Sequence, residues 1–344
     1  MKKLLLIDGH SLIHRAYHAY PRTLATKTGE LTNAVYGFTN ILLTAIAEVQ
    51  PTHLAVTFDL PKPTFRQAMF VGYKRSRVKP DDELITQIPR VKEVVKTLNI
   101  PIYEVEGFEA DDVIGTLCRQ ATEIQVKRLK GQQVKNQAEF SSLSTFQPVS
   151  LSVIILSSDR DLMQLICGDR VVVKLPARSS HQQRTVLRSG GPSSSDSDIW
   201  DEKRFITDWG FSPKLLPDYK ALAGDQSDDI PGVKGIGEKT AKELVSAYGD
   251  IDNIYRQLLK GRTLPRQGPT LIKKLADGQD SAQLSKQLAT IDTNVPIQLD
   301  WKQTQIHEYD KSKVMKLFEE LEFRSLSKKL PNDKYEQEVQ EALF

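Results

Sequence analysis

The chain has 344 residues, long enough for two domains, and its 39% hydrophobic content supplies an ordinary globular core. It lacks the run of about 18 apolar residues that a membrane-spanning helix needs, and its apolar start at Lys3–Ile7 is too short for a secretory leader. Two cysteines, Cys118 and Cys167, exclude a disulfide framework and fit a reducing compartment, while the net charge of +3 conceals a strongly basic remainder around a set of clustered acids.

In chain order, Lys3–Ile7 is a short apolar strand ending in Asp8-Gly9, and His10–Tyr20 follows with helical periodicity. Ala34–Val49 is a second amphipathic helix. His53–Phe58 is a second strand, and it too ends in an acid, Asp59. Pro61 and Pro63 open a basic, aromatic stretch that runs to Pro80. The pattern predicts a helix over Asp81–Leu98, a third strand at Ile102–Val105, and a helix opening at Glu109, Ala110, Asp111 and Asp112. Ser152–Leu156 is a fourth strand, followed by Asp159 and Asp161, and Val171–Val173 is a fifth. After Trp200 the chain is mainly helical: Asp201–Trp209, Pro213–Ala223, Gly237–Tyr248, Ile251–Lys260, Pro269–Leu275, Ser281–Ile291 and Ser312–Leu321.

The expected organisation is an α/β domain over 1–176 with a surface insert near 121–150. A low-complexity polar insert at 177–199, expected to be disordered, separates it from a helical domain at 200–330, and a flexible tail covers 331–344. Strands alternating with helices imply parallel pairing, and in open parallel sheets function gathers beyond the carboxyl ends of the strands. Asp8, Asp59, the Glu109–Asp112 cluster and Asp159/Asp161 all follow predicted strands. Acids in a first helical turn complement the helix dipole and need no other purpose. Four strand ends that each carry acid are hard to attribute to capping.

Two further signals lie in the second half. Gly224-Asp225-Gln226-Ser227-Asp228 adds two acids three residues apart. Gly232-Val233-Lys234-Gly235-Ile236-Gly237-Glu238-Lys239-Thr240-Ala241 then joins a glycine-rich turn to a helix, with Lys242 one residue on. Glycines let backbone approach a ligand, and a helix start offers unpaired N–H donors to a phosphate. Nine crowded carboxylates repel one another unless divalent cations relieve them, and oxygen-only donors favour Mg²⁺ or Mn²⁺. That many acids suggest two ions, an arrangement suited to in-line hydrolysis of a phosphodiester.

The ordered motifs Asp8-Gly9-His10-Ser11, Phe58-Asp59, Thr64-Phe65-Arg66, Gly72-Tyr73-Lys74 with Arg77, Gly107-Phe108-Glu109-Ala110-Asp111-Asp112, Ser158-Asp159 with Asp161-Leu162, Gly224-Asp225 with Ser227-Asp228, and the Gly232–Ala241 turn together resemble the bacterial 5′→3′ exonuclease, or flap endonuclease, family. That family includes the domain that begins DNA polymerase I. The resemblance implies a PIN-like 5′ nuclease fold with a central, mainly parallel sheet, a helical arch, and a C-terminal helix–three-turn–helix element near 224–248. It implies Asp8, Asp59, Glu109, Asp111, Asp112, Asp159, Asp161, Asp225 and Asp228 as ligands of two Mg²⁺ or Mn²⁺ ions. Lys74 and Arg77 join Asp8, Asp59, Glu109 and Asp111 in catalysis. His14, Arg66, Tyr73, Lys74, Arg77, Gly232, Lys234, Gly235, Gly237, Lys239, Thr240 and Lys242 are implied as DNA contacts, and a K⁺ is implied on the carbonyls of the glycine turn.

His14 departs from the family, which places Tyr or Phe there to stack on a base. The tail Gln340-Glu341-Ala342-Leu343-Phe344 imperfectly resembles a peptide that docks on sliding clamps, with Glu341 in place of Leu. The expected function is cleavage of 5′ ends and 5′ flaps of duplex DNA in Okazaki-fragment processing and repair, by a cytoplasmic monomer in the bacterial nucleoid with no membrane partner. The competing readings are a non-catalytic binder of branched DNA and a ribonuclease of a related metal-carboxylate fold.

Overall fold

The structure is a computed structural model and describes residues 2–135, 151–176, 199–259, 269–306 and 309–331. Six strands form one sheet: β1 (Lys2–Asp8), β2 (His53–Thr57), β3 (Ile102–Tyr103), β4 (Leu151–Leu156), β5 (Val171–Lys174) and β6 (Ile199–Trp200). Their order is β3-β2-β1-β4-β5-β6, parallel throughout except for the antiparallel β5–β6 pair. Leu4, Leu5, Leu6 and Ile7 are all fully buried, as a central parallel strand covered on both faces requires.

The alternation of side chains along the strands sorts the core into two layers. Leu4, Leu6, Ala55, Val153, Ile155, Val171 and Val173 face the helix Ala110–Lys135 and the C-terminal helices. Leu5, Ile7, Leu54, Val56, Ile154 and Leu156 face the helices Gly9–Ala19, Asn33–Val49 and Ile88–Thr97. From β1 the chain proceeds outward to β2, and from β4 it proceeds outward to β5 on the other side. The carboxyl ends of β1 and β4 therefore flank the topological switch point, where open sheets form a crevice. Among the described residues no helix is long and apolar enough to cross a membrane.

Several expectations change. The span Asp81–Leu98 is two helices, Asp82–Ile85 and Ile88–Thr97, because Pro89 belongs in a first helical turn, where its missing N–H is not needed. Pro213 likewise opens a 3₁₀ turn, Pro213–Leu215, ahead of the helix Leu216–Ala223. The third strand stops at Tyr103. The arch segment holds one short helix, Phe65–Met69; Lys74 and Arg77 sit on the turns after it, and Lys74 takes a left-handed φ of 54°. The helix from Ala110 continues to Lys135, so the first part of the 121–150 insert is helical. The end of the expected helical domain returns to the N-terminal sheet. Leu54 N–H donates to Thr304 O at 2.7 Å, and Val314, Leu317, Phe318 and Phe323 join the core beneath β2 and β4. The rest of the first insert, the polar insert and the tail carrying Gln340–Phe344 lie outside the described residues.

Candidate active site

Asp8 ends β1 and serves two elements. Its Oδ1 caps the helix Gly9–Ala19 by accepting from Ser11 N–H at 3.1 Å. Its Oδ2 accepts from Ser157 Oγ–H at 2.6 Å, across the switch point at the end of β4. Asp59 follows β2, and its Oδ1 accepts the Ala110 N–H at 2.7 Å, tying it to the start of the acid-bearing helix. Asp59 N–H donates to His10 Nδ1 at 2.9 Å, which fixes that nitrogen as the acceptor and leaves the proton on Nε2. Burial, the largest influence, holds the His10 pKa below its usual value, in keeping with a neutral ring.

At the next strand end, Glu109 Oε1 accepts from Lys74 Nζ at 2.9 Å and its Oε2 from Tyr73 OH at 3.1 Å. Asp228 is paired with Arg77 Nη2, and Lys74 Nζ stands 3.7 Å from it. Lys74 N–H donates to Asp228 O at 2.9 Å and Ser76 N–H to Asp229 Oδ2 at 2.7 Å, so the arch turns are pinned to the Asp225–Asp229 loop. Beyond β4, Asp161 N–H donates to Asp159 Oδ1 at 2.8 Å. Lys220, on the helix Leu216–Ala223, places its ammonium between Asp161 Oδ1 and Asp225 Oδ2 and donates to both. Asp225 Oδ1 accepts from Ser227 N–H at 2.8 Å and Ser227 Oγ–H at 2.6 Å.

The electrostatics divide these acids. Burial, then the charges of Asp59 and Asp159, push the Asp8 carboxyl up to about 7 against the pull of Ser157 and Ser11. Asp111 is pushed well above the carboxylate range by burial and then by Asp159, Asp8 and Glu109; among the described residues no donor lies on its carboxylate. Burial and Asp159 carry Asp161 up to about 6 in spite of Lys220. Burial also acts to raise Asp225, but Lys220 and Ser227 outweigh it and hold the group low. Asp8, Asp59, Asp111 and Asp159 are thus hard oxygen donors crowded together without a contacting lysine or arginine among the described residues. This is the donor chemistry that a divalent cation satisfies. Glu109, Asp161, Asp225 and Asp228 are instead balanced by Lys74, Arg77 and Lys220. Among the described residues no three His, Cys, Asp or Glu side chains are gathered closely enough to hold one ion as they stand.

Four sequence expectations are corrected by position. Asp112 is fully buried, and its carboxylate is saturated: Arg66 Nη1 and Nη2 each donate at 2.7 Å, Asp292 N–H at 2.8 Å and Glu109 N–H at 3.1 Å. It anchors the acid-bearing helix and has no lone pair free for a metal. Arg66 is 2% exposed and also donates to Leu288 O and Thr290 O, so it is out of reach of DNA. Tyr73 is 4% exposed, beneath Glu109 and Asp228, and burial followed by those two charges drives its phenol pKa upward. Gly232 is buried as well: its N–H donates to Ser285 Oγ at 2.9 Å and its carbonyl accepts from Ser281 at 2.6 Å. Lys234, Gly235, Gly237, Lys239 and Lys242 are exposed around the start of the helix Glu238–Tyr248, and Thr240 is half-buried. The Gly235 carbonyl accepts from Lys274 Nζ at 3.0 Å. His14 is half-buried.

Sequence reasoning missed Lys220, Ser11, Ser157 and the orienting role of His10. Lys220 had no signal, being one lysine in a short helix. Ser157 stood next to a motif residue at a strand end and was legible in principle.

Comparison with known proteins bears on the family and the fold. The family model described as 5′-3′ exonuclease, N-terminal resolvase-like domain, matches residues 3–130, and the 5′-3′ exonuclease, C-terminal SAM fold, matches 211–312. The chain is 33% identical to the 5′-3′ exonuclease of Aquifex aeolicus, covering 100% of both chains. It is 40% identical to DNA polymerase I of Chloroflexus aurantiacus over 96% of this chain but 31% of that protein. It thus spans about a third of the DNA polymerase I relatives it matches. The fold is like that of the bacteriophage T5 flap endonuclease solved with DNA and metal ions (TM-score 0.60, 17% identity, 93% of this chain and 100% of that one). It is also like the catalytic core of Rad2 solved with DNA substrate (TM-score 0.54, 13% identity, 96% and 92%). With both family models matched in order and a relative aligned from end to end, the chain belongs to the 5′→3′ exonuclease family.

Proposed function

We propose that this chain is a divalent-metal-dependent, structure-selective 5′ nuclease that hydrolyses phosphodiesters at 5′ ends and 5′ flaps of duplex DNA, as in Okazaki-fragment processing and repair. The observation that carries it is that Asp8, Asp59 and Asp159, which follow β1, β2 and β4, and Asp111 at the start of the helix Ala110–Lys135 lie within electrostatic reach of one another, while Lys74 bonds the neighbouring Glu109 and Arg77 pairs with Asp228. The first ion falls to Asp8, Asp59, Asp111 and Asp159, and a second to Asp161, Asp225 and Asp228 with Glu109. Bound Mg²⁺ or Mn²⁺ supplies Lewis-acid stabilisation to the attacking and leaving oxygens.

The chain's own groups do the rest. Ser157, Ser11 and the Ala110 N–H aim Asp8 and Asp59 at the crevice. Lys74 and Arg77 bring positive charge to a phosphate that gains negative charge in the transition state. The exposed backbone at Gly235 and Gly237 with Lys234, Lys239, Thr240 and Lys242 takes the duplex backbone at the start of the helix Glu238–Tyr248, with His14 nearer the cleaved end. A K⁺ at this turn belongs to the same proposal and would compete with the Lys274 ammonium for the Gly235 carbonyl. So do an α/β nuclease unit at 1–176 with a helical DNA-binding unit from 200, clamp docking through Gln340–Phe344, a monomeric state and a nucleoid location.

The test is cleavage of a 5′-labelled double-flap DNA by wild type and Asp111→Asn, with Mg²⁺ and with EDTA. Mg²⁺-dependent cutting at the flap junction, abolished by EDTA and nearly lost in the variant, supports the reading. Tight binding without any cutting by wild type points to a non-catalytic junction binder.

A further inference from the structure

Lys220 is a long cation set among acids that the proposed mechanism gives to an ion. Its side chain is 12% exposed, with Asp161 at 20% and Asp225 at 15%. Its ammonium donates to both carboxylates at once, so it already occupies the electrostatic place between them. Lys220 and Asp225 lie on the same connected stretch: the helix Leu216–Ala223 ends at Gly224, and the bridge between Asp225 and Ile230 follows. Asp161 arrives from the 3₁₀ turn after β4. The contrast with the other acids is sharp. Among the described residues Asp111 has no donor and Asp8 has only hydroxyl and backbone donors, so none of their positive groups has to leave before an ion enters there.

Resting on the two-ion reading above, we propose that Lys220 is a built-in competitor for the second ion, making the two metal subsites unequal. The Asp8–Asp111–Asp159 side binds a divalent cation directly. The Asp161–Asp225 side binds one only as the Lys220 ammonium swings off the pair. Because a dication and an ammonium repel at this range, the second step is weaker than the first by about tenfold or more. Lys220 is a positioning residue in this account: it keeps Asp161 and Asp225 together and ionised until the second ion, delivered with substrate phosphate oxygens, replaces it. Lys74 and Arg77 act in the same sense on Glu109 and Asp228, but they sit on the irregular backbone of the arch segment, Arg77 exposed and Lys74 half-buried, whereas Lys220 is held within a helix.

The experiment is Mn²⁺ titration of the whole chain without DNA, read by calorimetry and by the loss of the free Mn²⁺ electron spin resonance signal, on wild type, Lys220→Met and Lys220→Arg. Thermal melts of each variant report on folding. Wild type is expected to bind in two steps whose affinities differ by about tenfold or more, Lys220→Met to tighten the second step by a similar factor, and Lys220→Arg to retain the wild-type inequality. Two equal steps in wild type overturn the proposal without recourse to a variant. A second step that is unchanged or weaker in a folded Lys220→Met also overturns it while leaving the two-ion reading intact. No Mn²⁺ binding by wild type overturns both.

Discussion

Arg66 and Asp112 form a forked pair, with two N–H···O hydrogen bonds of 2.7 Å, buried between the arch and the acid-bearing helix. The guanidinium adds bonds to the carbonyls of Leu288 and Thr290, and the carboxylate adds one from Asp292 N–H. One ion pair therefore ties the arch, the helix Ala110–Lys135 and the segment after the helix Gln279–Ala289. Breaking such a pair leaves an uncompensated buried charge, at a cost of about 3–5 kcal/mol. Asp112→Asn is expected to lower stability by that order in urea unfolding while leaving Mn²⁺ affinity within a few-fold. Arg66→Lys is expected to lose stability too, because an ammonium cannot reproduce the fork. Loss of Mn²⁺ binding by a folded Asp112→Asn would instead return Asp112 to the ligand set.

Metal-free stability depends on pH through the raised acids. Asp8 titrates near 7 in the folded chain against 3.8 for the ordinary group. A folded value above the unfolded one means that the folded state holds the proton more tightly. The associated stability is complete below about pH 4 and is lost as pH rises toward and through 7. His10, His14 and His53 have lowered values and act in the opposite sense below about 6.5, so a single pH curve mixes the two. The difference between Asp8→Asn and wild type isolates the carboxyl, since Asn still caps the helix. In EDTA, the variant is expected to gain on wild type from pH 4 to pH 8. A difference that stays flat over that range counts against the raised Asp8.

The glycines of the turn proposed to take duplex DNA divide into two kinds. Gly232 has φ of 62°, and a Cβ there would lie 2.2 Å from Gly224 N, so Gly232→Ala is expected to destabilise the fold severely. Gly237 has an ordinary φ and open space around it, so Gly237→Ala is expected to melt like wild type. If the backbone there meets a phosphate, that variant binds duplex DNA more weakly. Lys239→Ala is expected to weaken binding at every sequence and to lower the salt slope by about one. Unchanged DNA affinity in both Gly237→Ala and Lys239→Ala would move the duplex site elsewhere.

The resemblance implies a stacking Tyr or Phe at the position that His14 holds here. Burial, then His10, His18 and Arg77, hold its pKa below 6.5, so the ring is neutral at pH 7 to 8. The affinities of wild type and His14→Tyr for flap DNA, measured by anisotropy, are expected to run parallel over pH 7–8. They diverge only as the pH falls below 6.5, where the charged imidazole gains phosphate attraction. Divergence already at pH 8 would contradict the neutral ring.

The sequence by itself determined five of the six strands, their parallel pairing on alternation grounds, and the placing of acids past their ends, but not the antiparallel β6 or the strand order. These follow from local rules: a period of two along strands such as Leu4–Ile7, a helical period from Ala110, and the rule that function collects at the carboxyl edge of a parallel sheet. It could not say which acids face one another or what neutralises them. Asp111 and Asp112 are neighbours, yet a helix turns them about 100° apart. One is directed toward Asp8 and Asp159, and the other into a buried guanidinium 46 residues away in sequence. Lys220 meets Asp161 across 59 residues, and the segment after residue 300 returns to the edge of β2. Such pairings are set by packing between elements, where burial decides whether a charge needs a partner, and only the tertiary structure reveals the partner it finds.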